Sequence, residues 1–581
     1  MFKLLKKFDY RDWISIVFIV GFIVCHVWLD LTLPDFTNKL TQSIASGTSS
    51  MADVWQNGLM MLACALGSLM CAFACGFLCT RLASKLAKNI RGDIYGKIST
   101  FSSNEMKKFS IPSLITRSTN DVVQIQMFVA LGLQIVIKAP ILAVWAISKI
   151  ANASIQWTSA ILITVFVMVA LIALVVFLVL PKFRKVQKLI DNLNDVTREN
   201  VDGVRVVRAF NAENYQENKF EKANLKLTKN QLFTAKITGL MMPIMTLCMN
   251  GLTLAIYWIG AVLVNAATVA ERAIVVGNMV AFTQYAMQVV MAFIMLVTIF
   301  IILPRTIVST KRVNEVLGTK ASIVDGEQTD ENNVCGEVEF KNVSFKYPDG
   351  QEDVLANISF KAQKGETVAI IGATGAGKST LINLIPRFID VTGGEVLVDG
   401  MNVKDFNQED LQKRIAYVSQ RACLFKGTIK NNVTYGEDEK LNDEAKLQAA
   451  LDIAQAQFVF KKDKGVMSEV SQGGTNFSGG QKQRLSIARA IYKDAEILIF
   501  DDSFSALDYK TDMLVRKNIK QNLKDKTLII VAQRIGTIKN ADKIIVLDDG
   551  KIAGIGTHND LLETCDVYKE IVLSQLSKEE L

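Results

Sequence analysis

The sequence predicts a multidomain chain in which an all-α transmembrane domain of six helices is followed by an α/β domain. Three observations lead to this prediction. At 581 residues the chain is too long for one ordinary domain. Its composition, 50% hydrophobic and only 21% charged, is unusual for a water-soluble protein. The long apolar runs end near residue 303, whereas the chain from residue 336 onwards has the composition of an ordinary soluble α/β domain.

Six apolar segments are long enough to cross the hydrocarbon core of a bilayer, which requires about 20 residues. They cover residues 13–33, 57–79, 127–150, 155–180, 239–264 and 279–303. Lysines and arginines precede the first span and follow the second and fourth, while the connections after spans one, three and five carry few cations. By the positive-inside rule, both termini and the α/β domain are predicted to be cytoplasmic. These flanks also explain the net charge of +8, so nucleic acid is not predicted as a partner.

The predicted boundaries follow from charge and periodicity. Residues 1–12 are read as an interfacial helix, because no small-residue cleavage site follows the first span as a signal peptide would require. The transmembrane domain is predicted over 13–317, and apolar residues at helical spacing predict that the spans extend as long intracellular helices. Linkers without a role are the alternative for those extensions. A polar linker, 318–336, precedes the α/β domain, 337–581.

The segment ETVAIIGATGAGKSTLINLI predicts a P-loop, because the pattern G-x-x-x-x-G-K-S stands between an apolar strand and a helix. Backbone N–H groups and the helix N-terminus of such a loop cradle phosphate, the lysine reaches the β- and γ-phosphates, and the serine ligates Mg²⁺. The predicted nucleotide-binding positions are Gly372, Ala373, Thr374, Gly375, Ala376, Gly377, Lys378, Ser379 and Thr380. The segment ILIFDDSF adds a buried strand that ends in Asp501, predicted to hold Mg²⁺ opposite Ser379.

The segment NFSGGQKQRLSIARAI, residues 476–491, resembles the signature motif of ABC transporter ATPases. The resemblance implies that four residues begin a helix whose N-terminus binds the γ-phosphate of ATP held by another subunit. These residues are Ser478, Gly479, Gly480 and Gln481.

Other motifs resemble the same family in the same order along the chain. The resemblance implies that Tyr347 in FKYP stacks on adenine and that Gln420 in YVSQ contacts Mg²⁺ and the membrane domain. It also implies that Asp508 in SALD lies in a loop that communicates across a dimer. In the first half, SLITRSTNDVVQIQ and ENVDGVRVVRAFNAE resemble intracellular-loop motifs of bacterial multidrug exporters. The chain thus resembles a half-transporter of the bacterial cell membrane, which must dimerise and uses ATP and Mg²⁺.

Two positions depart from the family pattern at the chemical step. A glutamate that polarises the attacking water usually follows the Mg²⁺ aspartate, and this chain has Asp502 there, one methylene shorter. A later histidine usually contacts the γ-phosphate, and this chain has Gln533. The only histidines are His26, in the first span, and His558, near the C-terminus, so neither can take the missing role.

These departures predict a degenerate site that binds ATP and hydrolyses it poorly, since general base catalysis typically contributes about 10²–10⁴-fold in rate. The alternative is that both replacements are tolerated with nearly normal turnover. Because the signature motif is intact, the resemblance predicts a heterodimer in which this chain completes the competent site of a second half-transporter that carries Glu and His. A homodimer would contain two impaired sites.

The substrate is predicted only by class. Spans five and six are rich in methionine, and such surfaces adapt to varied apolar ligands, so a small drug-like or lipid-like amphipathic substrate is predicted beside the membrane lipid. Packing against neighbouring helices is an equally good explanation for any one methionine. Lys138 lies inside the third span, where an ionisable group is often functional, although snorkelling to the interface is the alternative. The cysteines of the second span are read as packing residues rather than metal ligands.

Two other functions are alternatives to an exporter. A regulatory or scaffold subunit would bind ATP without powering transport. A peptide exporter with processing activity would carry a protease-like segment with Cys and His before the first span, and this chain has none there, although peptide transport stays possible.

Overall fold

The fold was analysed in a computed structural model of the chain. It describes residues 8–47, 50–151, 155–328, 336–348, 350–436 and 443–575. The described chain divides into two compact units, one of Met1–Ser99 and Ser110–Thr319 and the other of Thr100–Phe109 and Lys320–Leu581. Most of the predicted interfacial helix lies outside the described residues, and Tyr10 begins the first long helix.

Long helices build the first unit. In chain order they are α1 Tyr10–Ala45, α2 Met51–Ser99, α4 Ile111–Ser118, α5 Asn120–Met127, a π-helical turn Phe128–Gly132, α6 Leu133–Ala151, α7 Ile155–Asp202, α8 Val204–Ala209, α9 Glu213–Ala266 and α10 Val269–Gly318. The short helix α3, Ser103–Phe109, belongs to the second unit. Six stretches of this unit are long and apolar enough to cross a membrane, which confirms the predicted six spans within the described residues.

The extensions that are predicted to be intracellular are helical. α2 continues to Ser99 and α7 to Asp202, well beyond the predicted ends of their spans. The chain from Thr100 to Phe109 packs with the second unit. The division of the chain by packing therefore differs at α3 from the predicted continuous range 13–317. Ser102 ties this segment down, because its hydroxyl lies 2.9 Å from that of Ser322.

Helix packing in the first unit uses apolar residues on all sides, as expected for helices in lipid. On α1 the buried positions recur every four residues, at Ile19, Ile23, Val27 and Leu31. α1 packs along α2 and α10, while α9 packs along α7. The face of α1 opposite these contacts is equally apolar and exposed, which fits a surface covered by lipid rather than by water.

The second unit contains two main sheets. Its strands are β1 Val338–Phe345, β2 Leu355–Ala362, β3 Thr367–Gly372, β4 Gly393–Val398, β5 Met401–Asn402, β6 Ile415–Val418, β7 Gly427–Thr428, β8 Glu469–Val470, β9 Ile497–Asp501, β10 Thr527–Val531, β11 Lys543–Asp548 and β12 Lys551–Gly556. An antiparallel sheet has the order β2-β1-β4-β5, and a six-stranded sheet has the order β12-β11-β3-β10-β9-β6. All neighbours in the second sheet are parallel except β12, which is antiparallel to β11.

Helices cover the parallel sheet. They are α11 Lys378–Leu384, α12 Gln408–Lys413, α13 Ile429–Val433, α14 Glu444–Ile453, α15 Gly479–Lys493, α16 Tyr509–Asn522, α17 Ile535–Ile538, α18 His558–Thr564 and α19 Asp566–Leu573. Every residue of β9 and β10 is buried, which explains why these strands are continuous apolar runs rather than alternating ones. The predicted α/β fold of this half is therefore confirmed.

Candidate nucleotide-binding site

Parallel pairing brings the predicted site residues to one edge of the sheet. β10 pairs with β3 on one side and with β9 on the other, and Val531 stands opposite both Ile370 and Asp501. The carboxyl ends of these strands therefore coincide, so the P-loop after β3, the Asp501–Asp502 pair and Gln533 after β10 lie together. This edge is the usual ligand site of open parallel sheets.

The P-loop turns directly from β3 into α11. At Gly377, φ is +91°, a left-handed conformation that a residue with a Cβ rarely adopts. An added Cβ would also lie 2.8 Å from Leu355 Cδ2 and 2.9 Å from the carbonyl oxygen of Val354. The glycine before Lys378 is thus required by both backbone conformation and space.

Lys378 is buried against its own loop. Its Nζ donates hydrogen bonds to the carbonyl oxygens of Gly372 at 2.9 Å and Ala373 at 2.7 Å. Burial lowers the pKa of Lys378, and the negative charges of Asp502 and Asp501 oppose this shift. The ammonium is therefore held within the loop beside two carboxylates, where a phosphate could take over its hydrogen bonds.

Asp501 joins three elements of the site. Its Oδ1 accepts a hydrogen bond from the Ser379 hydroxyl at 3.0 Å, and its Oδ2 accepts one from the Tyr417 hydroxyl at 3.1 Å. Carboxylate and hydroxyl oxygens are the ligands that Mg²⁺ prefers, and Mg²⁺ sites on nucleotides need few protein ligands because phosphates and waters supply the rest. Ser379 and Asp501 therefore fit the predicted Mg²⁺ site.

Asp502 is held by two amides. Its Oδ2 accepts hydrogen bonds from Gln533 Nε2 at 3.1 Å and from Gln420 Nε2 at 3.3 Å. The backbone of Asp502 has φ of +46°, a region that few residues other than glycine, asparagine and aspartate enter. Burial raises the pKa of Asp502, although the hydrogen bond from Gln420 lowers it. The carboxylate of Asp502, the predicted base, is thus hydrogen-bonded to the side chains of both Gln420 and Gln533.

The signature motif begins a helix, as predicted. The Ser478 side chain accepts a hydrogen bond from the Gln481 backbone N–H at 3.3 Å, and Gln481 Oε1 accepts one from the Ser478 N–H at 3.0 Å. This reciprocal pair is a capping box that fixes the start of α15. Ser478 and Gly479 are exposed, so the N-terminus of α15 is accessible to an anionic ligand.

Two other predicted site residues, Asp508 and Tyr347, lie outside the P-loop. Asp508 caps α16 through the backbone N–H of Thr511 at 3.0 Å, and this hydrogen bond lowers the pKa of Asp508. The Tyr347 hydroxyl lies 3.2 Å from the Thr380 hydroxyl, next to the P-loop. Tyr347 is therefore close enough to the loop to contact a bound base.

The sequence did not reveal two residues that complete the site. Tyr417 lies on β6, and only the pairing of β6 with β9 shows that its hydroxyl meets Asp501. The Lys107 ammonium lies 4.6 Å from the centre of the Tyr347 ring, within the range of a cation–π interaction. Lys107 is on α3, separated from Tyr347 by 240 positions, and no local motif marks it.

The cysteines of the second span, which lie on α2, are predicted to be packing residues rather than metal ligands. Among the described residues, no group of three or more His, Cys, Asp or Glu side chains is arranged to hold a metal ion. Within those same residues the cysteines of α2 are free thiols.

Fold and site together define a P-loop ATPase domain fused to a membrane domain of six spanning helices. Residues 355–505 match the family model of the ABC transporter, and residues 16–315 match that of the ABC transporter transmembrane region. The chain belongs to the ABC transporter family and is a half-transporter, an integral membrane protein with one ATPase domain. ATPase domains of this family bind ATP, generally with Mg²⁺, and their half-transporters pair with a second subunit or with a copy of themselves.

Individual relatives agree over most of the chain. An ABC transporter ATP-binding protein of Mycobacterium tuberculosis is 38% identical over 549 residues, 94% of this chain and 93% of the relative. An ATP-dependent lipid A-core flippase of Pseudomonas fluorescens is 34% identical over 412 residues, 70% of this chain and 67% of the flippase. The solved structure of a bacterial Atm1-family ABC exporter with ATP bound has a TM-score of 0.79 at 23% identity and covers 98% of this chain and 100% of its own. That similarity shows the exporter fold.

We expect Tyr347→Ala to weaken ATP binding about tenfold, because stacking of a base on an aromatic side chain contributes about 1–3 kcal/mol. Tyr347→Phe is the matched control: it keeps the ring and loses only the contact with the Thr380 hydroxyl. Titration with a fluorescent ATP analogue measures both. Equal affinities of the alanine variant and the wild type would exclude Tyr347 as the base-stacking residue.

We expect Asp501→Asn to raise the thermal unfolding midpoint of the nucleotide-free protein while it weakens Mg²⁺-dependent ATP binding. Burial raises the pKa of Asp501, so its ionised form is less favourable in the folded than in the unfolded state. The stability that this group contributes is present at low pH and is lost as pH rises through the folded pKa. The gain from Asn should therefore shrink as pH falls through the raised pKa of Asp501 towards the ordinary pKa of an aspartate.

Asp508→Ala is the control of opposite sign. Because the pKa of Asp508 is lowered by its cap hydrogen bond, removing the carboxylate should lower the unfolding midpoint. A lower unfolding midpoint for both variants at pH 8 would contradict the conclusion that burial disfavours the ionised form of Asp501.

Proposed function

We propose that this chain is one subunit of a heterodimeric ATP-driven exporter whose own P-loop site binds ATP but hydrolyses it poorly. The observation that carries the proposal is the double amide contact to Asp502. A carboxylate oxygen that already accepts hydrogen bonds from Gln420 and Gln533 is a weak acceptor for the proton of an attacking water. Its side chain is also one methylene shorter than the glutamate usual at this position.

Gln533 strengthens this proposal. A histidine at this position would contact the γ-phosphate, whereas the amide of Gln533 donates its hydrogen bond to Asp502. An amide also cannot carry the positive charge that a protonated histidine offers to a developing phosphate charge. Both replacements therefore weaken the same step, and ATP binding through the P-loop is left intact.

The exposed signature supports a role in a second site. Ser478 and Gly479 are exposed at the N-terminus of α15, where the helix dipole favours an anionic group such as a γ-phosphate. We propose that they complete the competent site of a partner half-transporter carrying the missing Glu and His. The positively charged flanks support an ATPase domain on the cytoplasmic side of the membrane. The bacterial plasma membrane and outward export are proposed from the resemblance to bacterial exporters and from the similarity to a bacterial flippase.

The proposed substrate is a small amphipathic or hydrophobic compound, drug-like or lipid-like. Similarity to a lipid A-core flippase supports the lipid-like part of this class. Exposed methionines on the spanning helices, among them Met242, Met287 and Met291, support an adaptable apolar surface.

The first experiment measures ATP binding and phosphate release by this chain purified alone. Binding with almost no turnover would support a degenerate site and an obligate partner. Vigorous turnover would show that Asp502 and Gln533 suffice, and the proposal of a heterodimer would lose its main support.

We expect Asp502→Glu combined with Gln533→His to raise the turnover of this site by at least about tenfold, because a longer carboxylate reaches the water and a histidine reaches the γ-phosphate. Phosphate release is measured on the assembled transporter. The control is Asp502→Gln with Gln533→His, which gains the histidine without any base and should stay slow. No rise in the first variant would refute the degenerate-site explanation.

We expect Ser478→Ala to remove most of the ATPase activity of the complex, since the serine would contact ATP on the partner. ATP binding to this chain's own P-loop should be unchanged, which separates lost phosphate contact from a damaged domain. Ser478→Thr keeps a hydroxyl that can cap α15 and serves as the control. Full activity of the alanine variant would contradict a role across the dimer.

A further inference from the structure

Charged side chains meet between the spanning helices of the first unit. Asp30 Oδ1, on α1, accepts a hydrogen bond of 2.6 Å from the Ser68 hydroxyl on α2. Its Oδ2 lies 3.4 Å from Lys138 Nζ on α6 and 3.3 Å from His26 Nε2, one turn earlier on α1. Ionisable groups in spanning helices are costly, and they almost always face the helix bundle or a water-filled cavity. We call His26, Asp30, Ser68, Lys138 and Gln288 the Asp30 cluster.

Gln288, on α10, belongs to this cluster because of Pro34. A proline has no backbone N–H, so the carbonyl oxygen of Asp30, four residues before it, loses its usual donor within the helix. Gln288 Nε2 replaces that donor at a distance of 2.9 Å. The other end of the same amide, Oε1, is buried and has no hydrogen-bond partner among the described residues. A buried acceptor without a donor is unfavourable, so a donor from a ligand would fit there.

The ion pair of Lys138 and Asp30 is loose. Its 3.4 Å separation exceeds the 2.6 Å between Lys149 and Asp35, which bridge the same two helices. Charge-assisted N–H···O hydrogen bonds normally measure about 2.7–2.9 Å. The side chains of Lys138 and Asp30 also keep 18% and 29% of their accessible surface. Lys138 thus lies against side chains of α1, and both charges keep accessible surface that a ligand could contact.

The balance of charge restricts which ligand can bind. A ligand with one charge would bind either Lys138 or Asp30 and leave the other without its partner in a low-dielectric region, which is strongly unfavourable. A zwitterion compensates both. Its anionic group can bind Lys138 and His26, and its ammonium can bind Asp30. A primary ammonium also carries the N–H donors that Gln288 Oε1 lacks, whereas a quaternary ammonium does not.

We propose that the Asp30 cluster is a substrate subsite that binds a zwitterionic group made of a primary ammonium and a nearby phosphate or carboxylate. The proposal rests on the proposed export function and narrows its amphipathic substrates to zwitterionic ones. A phosphoethanolamine lipid headgroup and a free phosphoethanolamine present the same chemistry, and separate arms of the test distinguish them.

The test measures ligand binding to the full chain in nanodiscs of phosphatidylglycerol, without ATP, by tryptophan fluorescence. The probes are 1-myristoyl lysophospholipids with ethanolamine, choline or glycerol headgroups, and free phosphoethanolamine. The ethanolamine lipid should bind saturably and at least about tenfold more tightly than the other two lipids. Binding of free phosphoethanolamine at similar affinity would identify a soluble zwitterion, and its failure beside tight lipid binding would identify a headgroup. Equal binding of the three lipids, or no saturable binding of any zwitterion, would overturn the proposal.

A matched pair of variants locates the site. Asp30→Asn with Lys138→Met neutralises the loose pair, and Asp35→Asn with Lys149→Met neutralises the tight pair between the same helices. Only the first should lose the selectivity for ethanolamine. Loss in both variants, or in neither, would contradict the assignment to the Asp30 cluster. The comparison of headgroups on the wild type needs no variant, so a misfolded variant leaves the test decisive.

The outcomes of these experiments distinguish an error in the proposed export function from an error in the proposed subsite. Selective binding without ATP-dependent transport of the bound lipid would keep the subsite and refute export. Transport of amphiphiles without headgroup selectivity would keep export and refute the subsite.

Discussion

The parallel register of β3, β10 and β9 is the constraint on which the nucleotide site depends. Because Val531 stands opposite both Ile370 and Asp501, three segments that are far apart in sequence end at the same edge. The strands are buried on both faces, so a shift of register would disturb the packing of their apolar side chains on the covering helices and would separate the P-loop from its carboxylates. The stability of the sheet and the geometry of the site are therefore specified by the same pairing.

The amide contacts to Asp502 connect this chain's own site to its signature motif. Gln420 donates to Asp502, and the carbonyl oxygen of its neighbour Ser419 accepts a hydrogen bond of 3.3 Å from Gln483, on the signature helix. A nucleotide that drew Gln420 away from Asp502 would thus act on a loop that is hydrogen-bonded to the signature helix, which we propose serves the partner's site. Under that proposal, these side chains give a physical connection by which occupancy of one site could influence the other.

The sequence was sufficient to predict features that depend on residues close together in the chain. It was insufficient for contacts between residues that only the tertiary fold brings together. The six spans and the P-loop at Lys378 follow from local patterns, and the helix start at Ser478 follows from the resemblance of its motif to a family signature; the structure contains each of them. The amide pair around Asp502 could not be predicted, since Gln420 and Gln533 meet it only through the order β10-β9-β6. Lys107 was missed for the same reason: its contact with Tyr347 requires α3 to pack with the ATPase unit, and no pattern within α3 indicates this.

In the membrane unit, too, polar groups have partners that are distant in sequence, because those partners lie on different helices. Pro34 removes a donor from the α1 backbone, and Gln288 of α10 replaces it, so a local defect in one helix is satisfied by another. The Tyr285 hydroxyl, one turn away on α10, bonds the carbonyl oxygen of Leu31 at 3.2 Å. Apolar packing could join α1 to α10 without these polar groups. A charged pair beside them that stays partly accessible adds desolvation cost without tight pairing, and this combination is better explained by a ligand than by stability.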